Sequence, residues 1–390
     1  MLDLTHMLSG PYAGMMLADL GAETIKIEPP VSGEGTRRLL ERDPRNSHEG
    51  MGAYYLTLNR NKQSITLNLK SDEGRALFYE LVKVSDIVLN NFSAGVMAKL
   101  GLDHDTLSAI NPRIITASIT GFGETGPCKD RVAFDMVAQA MGGGMSITGH
   151  EGNPPTRSGI PIGDLGGGIM GVVGVLAALV ARQTTGRGQH VDISMLDTQV
   201  SLLSYMATMY SLSGDVPGML GNAHFVHVPY NTYPTSDGYI IIAIITDSFW
   251  ATLMDMLNMP ELHTEENKYQ PGRLKNQQTI DGRLSDIFRT NTQAYWIAQL
   301  TAARIPSAPV YNVEQALNDE QVRHRNMVVN VQHVDGTNIE MVGNPVKLSE
   351  THEDTFTPPP TLGQHTDEIL MHLLGKSETD INALREKGVI

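Results

Sequence analysis

One carboxylate stands out by its setting. Asp164 lies in the stretch SGIPIGDLGGG, immediately before three glycines and a long apolar segment that reads as a helix. A helix N-terminus offers unpaired N–H groups and partial positive charge, which keep a carboxylate ionised and able to attack an electrophile. The same position suits an N-cap, worth roughly 1 kcal/mol to a helix, and spacing alone favours the cap. The glycine clusters LSGPYAG, MGGGM and LGGGIMG match neither GxGxxG after a strand nor GxxxxGK followed by Ser or Thr. Without those signatures they read as tight turns and close helix packing. No GxSxG elbow surrounds a serine, and the 13 histidines contain no HExxH pattern. RHR and HFVH are spaced like surface or pocket histidines, so no metal centre is expected. Cys128 has no activating base nearby in GFGETGPCKD and reads as structural.

The elements that must position Asp164 follow from periodicity. A short strand (Leu2–Leu4), a Gly-Pro turn, a helix from about Pro11 to Leu20 and a strand (Thr24–Glu28) make a βαβ opening. NKQSITLNL, DIVLNNF and RIITASITGFG supply further strands, separated by helices that include SDEGRALFYELVKVS with a partial capping box at Ser71. Two helical segments and the strand GQHVDISML follow. This alternation predicts an α/β fold, a mostly parallel sheet covered on both faces. Near Gly214 the pattern changes to short strands, turns and helices about Trp250–Leu257 and Gln277–Phe288. We therefore expect a large domain over 1–214, a small α+β domain over 215–310, and a C-terminal segment, 311–390, returning to the large one.

Composition narrows the function. The 390 residues carry a formal charge of −14, which argues against unspecific nucleic-acid binding, so any anionic ligand must be held by local features. One cysteine suits a reducing, cytoplasmic compartment. MLDLTH does not read as a secretory signal, and the apolar run Gly166–Ala181 is glycine-broken and short of the ~20 residues of a bilayer span, so no membrane partner is expected.

The ordered stretches LDLTHMLSGPYAGMMLADLGAETIKIEPP, GEGTR, LNRNKQSITLNLK, VLNNFSAGVMAKLGL, AFDMVAQAMGG, GIPIGDLGGG and TGRGQHVDISMLD resemble the family III CoA-transferases, the CaiB/BaiF family. The resemblance runs from Leu2 to the PPPTLGQHTDEIL tail. It implies a Rossmann-like large domain, a homodimer of interlocked chains, and transfer of coenzyme A from an acyl-CoA to a carboxylic acid with no permanently bound cofactor. Asp164 then becomes the nucleophile, passing through a mixed anhydride and an aspartyl-CoA thioester. The CoA contacts it implies are Leu8, Ser9, Arg37, Leu58, Asn59, Asn61, Lys62, Asn91, Phe92, Lys99 and Asp135, with Arg37, Lys62 and Lys99 as charge partners for the phosphates. Two departures refine the expectation. Racemases of the family carry His where this chain has Phe134, which makes a racemase or isomerase the alternative rather than the first reading. The glycine-rich loop of the formyl-CoA:oxalate transferases is replaced by HFVHVP, which disfavours oxalate or formate and puts forward His224 and His227 as donors to the second carboxylate of a C4–C5 dicarboxylic acid.

Overall fold

A computed structural model describes residues 1–351 and 355–390. Chain contacts divide it into two units: Met1–Gly144, Arg157–Gly214 and Gln321–Ile390 form the first, and Met145–Thr156 with Asp215–Glu320 form the second.

The first unit is built on six parallel strands: β1 (Leu2–Asp3), β2 (Thr24–Glu28), β3 (Lys62–Thr66), β4 (Ile87–Asn90), β5 (Ile115–Thr120) and β6 (His190–Ser194), in the order β3-β2-β1-β4-β5-β6. Every residue of β2, β4 and β5 is buried, as expected of a parallel sheet covered on both faces. Alternation along the strands feeds two cores. Leu2, Ile25, Ile65 and Val88 face one side, with Phe78 and Leu81 of helix α2 (Asp72–Lys83). Leu89, Ile115, Ala117 and Ile119 face the other, with Ala13 and Leu17 of helix α1 (Ser9–Asp19). C-terminal helices α5 (Thr366–Leu374) and α6 (Glu378–Glu386) close the β3 edge. There Ser64 N donates to His365 Nδ1 at 3.1 Å and His365 N donates to Ser64 O at 2.9 Å. Both ends of the chain therefore serve one core.

Two helices matter for Asp164. Helix α3 (Asp135–Met141) follows β5, and helix α4 (Ile162–Thr185) precedes β6. At 24 residues α4 is longer than the apolar run suggested, and by length and composition it could cross a membrane. Its glycine face instead lies on α1 and β5. A Cβ at Gly168 would stand 2.7 Å from the Ser9 carbonyl oxygen, and one at Gly171 would stand 2.7 Å from Ile119 Cδ1. At Gly168, where the neighbour is backbone, only glycine permits that approach. The opposite side exposes Ile169, Val173, Leu176 and Val180 as one stripe at helical spacing.

The second unit holds an antiparallel three-stranded sheet, with Tyr239–Ala243 between Tyr230–Pro234 and Ser307–Pro309. Helices Asp247–Leu257, Gln277–Phe288 and Gln293–Ala302 pack on it through Trp250, Leu253, Leu284, Phe288 and Trp296.

Candidate active site

Parallel sheets gather loops at the carboxyl ends of their strands, and ligand crevices form there, where the strand order reverses. In this sheet the reversal lies between β1 and β4. A cavity of about 610 Å³ opens at that end. Its walls come from His6–Ser9 after β1, Asn91–Ala94 after β4, Ile119–Phe122 at the end of β5, Lys129 and Arg131–Asp135 beyond it, Arg157, Asp164, and Met195 after β6. Asn91 fixes the first loop: its Oδ1 accepts from His6 N at 2.9 Å, and its Nδ2 donates to His6 O at 2.7 Å. Met7 takes a left-handed φ of 65°, which is costly for a bulky side chain, and it lies on this wall.

Asp164 occupies the third position of α4, with Pro161 as the cap residue. The capping expectation is therefore corrected. Asp135 takes that role from outside the helix: its Oδ1 accepts from Gly163 N at 2.8 Å and from Asp164 N at 3.3 Å. Gln139 steadies Asp135 by donating Nε2 to its Oδ2 at 2.8 Å. With the helix end satisfied by its neighbour, the Asp164 carboxylate is left to the cavity. Burial, and then the negative charge of Asp135, push it up to about 6 from an ordinary 3.8. At neutral pH the group is still mostly ionised, and it is more basic than a free aspartate, which favours nucleophilic attack.

The remaining sequence-derived residues divide sharply. Leu8, Ser9, Asn91, Phe92 and Asp135 line the cavity with Asp164. Lys99 is exposed and Leu58 buried, both outside the lining. Asn59 is fully buried and its Nδ2 donates to Tyr55 O at 3.1 Å. Asn61 adopts φ 60° and donates to Asp19 Oδ1 at 2.9 Å, beside Arg60, whose Nη2 lies 2.6 Å from Asp19 Oδ2. The LNRNK stretch therefore staples β3 to the end of α1. Lys62 and Arg37 require a correction as free phosphate partners. Lys62 Nζ has no exposed surface and sits 2.8 Å from Asp3 Oδ2. Arg37 grips Glu28 with two bonds, Nε to Oε2 at 2.6 Å and Nη2 to Oε1 at 2.7 Å, and also contacts the Tyr55 hydroxyl. Both charges are already neutralised within the fold.

Sequence reasoning passed over the cations that do reach the cavity: Lys129, Arg131 and Arg157, all exposed and in no ion pair among the described residues. The available signal was CKDR in a Gly-Pro loop just beyond a parallel strand, where the rule of strand ends places ligands. His6 was also overlooked; it is half-buried and stacks on Phe92 with ring centroids 5.4 Å apart. Phe134 presents its ring to the cavity beside Asp135.

His224 and His227 belong to the second unit, whereas the cavity lining comes from the first. His224 Nδ1 accepts from Val226 N at 3.0 Å and from His227 N at 3.2 Å, so this nitrogen shapes its own loop.

Comparison with known proteins identifies the family. The family model described as CoA-transferase family III matches residues 1–366. The chain is 35% identical to the human succinyl-CoA:glutarate CoA-transferase over 391 residues, covering all of this chain and 88% of that one. It is 37% identical to the acetyl-CoA:oxalate CoA-transferase of Acetobacter aceti, covering 92% and 90%. A CaiB/BaiF family protein from Brucella suis superposes with a TM-score of 0.85 at 34% identity, covering 95% of this chain and 97% of that one. A full-length match in sequence and fold has one conclusion: the chain is an enzyme of CoA-transferase family III.

Proposed function

We propose that this enzyme moves coenzyme A from an acyl-CoA to a short dicarboxylic acid, with Asp164 as the acyl carrier. The observation that carries the reading is the Asp164 carboxylate, half-buried in the strand-end cavity and raised to about 6. One of its oxygens attacks the thioester carbonyl carbon, the C–S bond breaks, and CoA thiolate leaves an aspartyl mixed anhydride. The thiolate then attacks the aspartyl carbonyl, releasing the donor acid and leaving an aspartyl-CoA thioester. The acceptor carboxylate attacks that thioester, and the returning thiolate takes the acceptor acyl group and frees Asp164. Anhydride and thioester are comparably activated, so the cycle balances without another reactant.

The diacid preference is supported by the relatives' acids, glutarate in one and oxalate in the other. The second weakens the expectation against oxalate, which rested on the HFVHVP loop. Leu8, Ser9, Asn91 and Phe92 suit the CoA arm, and Lys129 and Arg131 replace Arg37 and Lys62 as candidates for its phosphates. The strand order supports a Rossmann-like reading of the first unit. The exposed stripe on α4 supports a homodimer, and the single thiol supports a cytoplasmic setting. Incubation with succinyl-CoA and a labelled acid tests the activity. Label recovered as a new thioester is expected, whereas no label transfer from succinyl-CoA together with inversion of a 2-methyl-branched acyl-CoA would favour the racemase alternative.

A further inference from the structure

We propose that Arg157 binds the second carboxylate of the acid while the first reacts at Asp164, and so selects diacids over monoacids. The inference rests on the transferase reading above. Arg157 and Asp164 stand at the two ends of one loop, and α3 clamps both ends. Ser158 N donates to Gln139 Oε1 at 2.9 Å, Gln139 Nε2 donates to Asp135 Oδ2, and Asp135 Oδ1 receives the amides of Gly163 and Asp164. Asp135 and Gln139 thus tie the backbone beside Arg157 and the start of α4 to one helix.

The charge of Arg157 is available. Its Nη1 donates to Ser158 O at 3.3 Å, and no carboxylate pairs with it among the described residues. It does not pair with Asp164 either, although both line the cavity: the influences on Asp164 are burial and Asp135, with no cation among them. The two groups line one cavity of about 610 Å³ with no ion pair between them among the described residues, so an acid bound there meets both the cation and the nucleophile. The planar fork of arginine matches a carboxylate in two-bond geometry. Arg131 differs, because it lies over the Phe122 ring at 5.1 Å and donates to Cys128 Sγ at 3.6 Å, in the same loop as Lys129. That loop suits the phosphates, which leaves Arg157 for the acid.

The test uses the full chain with succinyl-CoA held at saturation for each variant, and glutarate against valerate as acceptors. Arg157→Leu is expected to raise KM for glutarate about 10- to 100-fold while KM for valerate and the Kd of free CoA stay unchanged. Arg157→Lys should recover part of the loss, since it keeps the charge and loses the fork. An unchanged glutarate KM, an equal loss for both acids, or weakened binding of free CoA would each overturn the assignment. These results differ from failure of the transferase reading, in which the wild type would move no label or would do so independently of Asp164.

Discussion

At the scale of single residues, the site separates charge that is used from charge that is stored. On the proposed mechanism Asp164 must lose its proton to attack, so transfer should be half-maximal near pH 6, reach its plateau above that and fall towards tenfold per unit below it. Asp135→Asn removes a like charge from beside it, and the acid limb of a single-turnover pH profile should then move to lower pH. A limb that stays in place would detach Asp135 from the nucleophile. Lys62 belongs to the stored charge. Lys62→Met leaves Asp3 buried without its partner, a change that typically costs about 3–5 kcal/mol. Thermal denaturation should register that loss, while the folded fraction keeps its affinity for CoA. A tenfold weaker CoA titration at undiminished stability would restore Lys62 as a phosphate contact.

At the scale of elements, much was legible because it rests on period and local chemistry. The strand Thr24–Glu28 and the helix Gln277–Phe288 were readable to their end residues, and the Ser71 cap forms as read, with Gly74 N donating to its Oγ at 3.0 Å. The cap of α4 was not legible. Asp135 is 29 residues from Asp164, and only folding brings α3 under the start of α4. The pairing of Lys62 with Asp3 was hidden for the same reason, since β3 and β1 flank β2 on either side and folding brings these remote residues together, while Arg37 folds back on Glu28 from the turn that follows β2. Close packing of α4 on α1 yields its own prediction. Gly168→Val would drive a branched side chain into the Ser9 carbonyl, and such overpacking costs about 1–3 kcal/mol. Because Ser9 also lines the cavity, KM for acyl-CoA should rise with the fall in melting temperature. A variant as stable and active as the wild type would show that the two helices need no glycine here.

At the scale of the whole molecule, α4 has two faces with different duties. The glycine face positions Asp164, while Ile169, Val173, Leu176 and Val180 are left uncovered by their own chain. A second copy covering that stripe is the account's expectation, and light scattering should give twice the 42.5 kDa chain mass. Val173→Glu and Val180→Glu together should shift the mass towards one chain; a wild-type monomer would refute the pairing. Covalent chemistry is assigned to one carboxylate, that of Asp164. Incubation with succinyl-CoA, a hydroxylamine quench and peptide mass spectrometry test it most directly. A hydroxamate confined to Asp164 is expected, with transfer abolished in an Asp164→Ala variant that remains folded. Substantial turnover by that variant, or a hydroxamate on another residue with Asp164 unmodified, would contradict it.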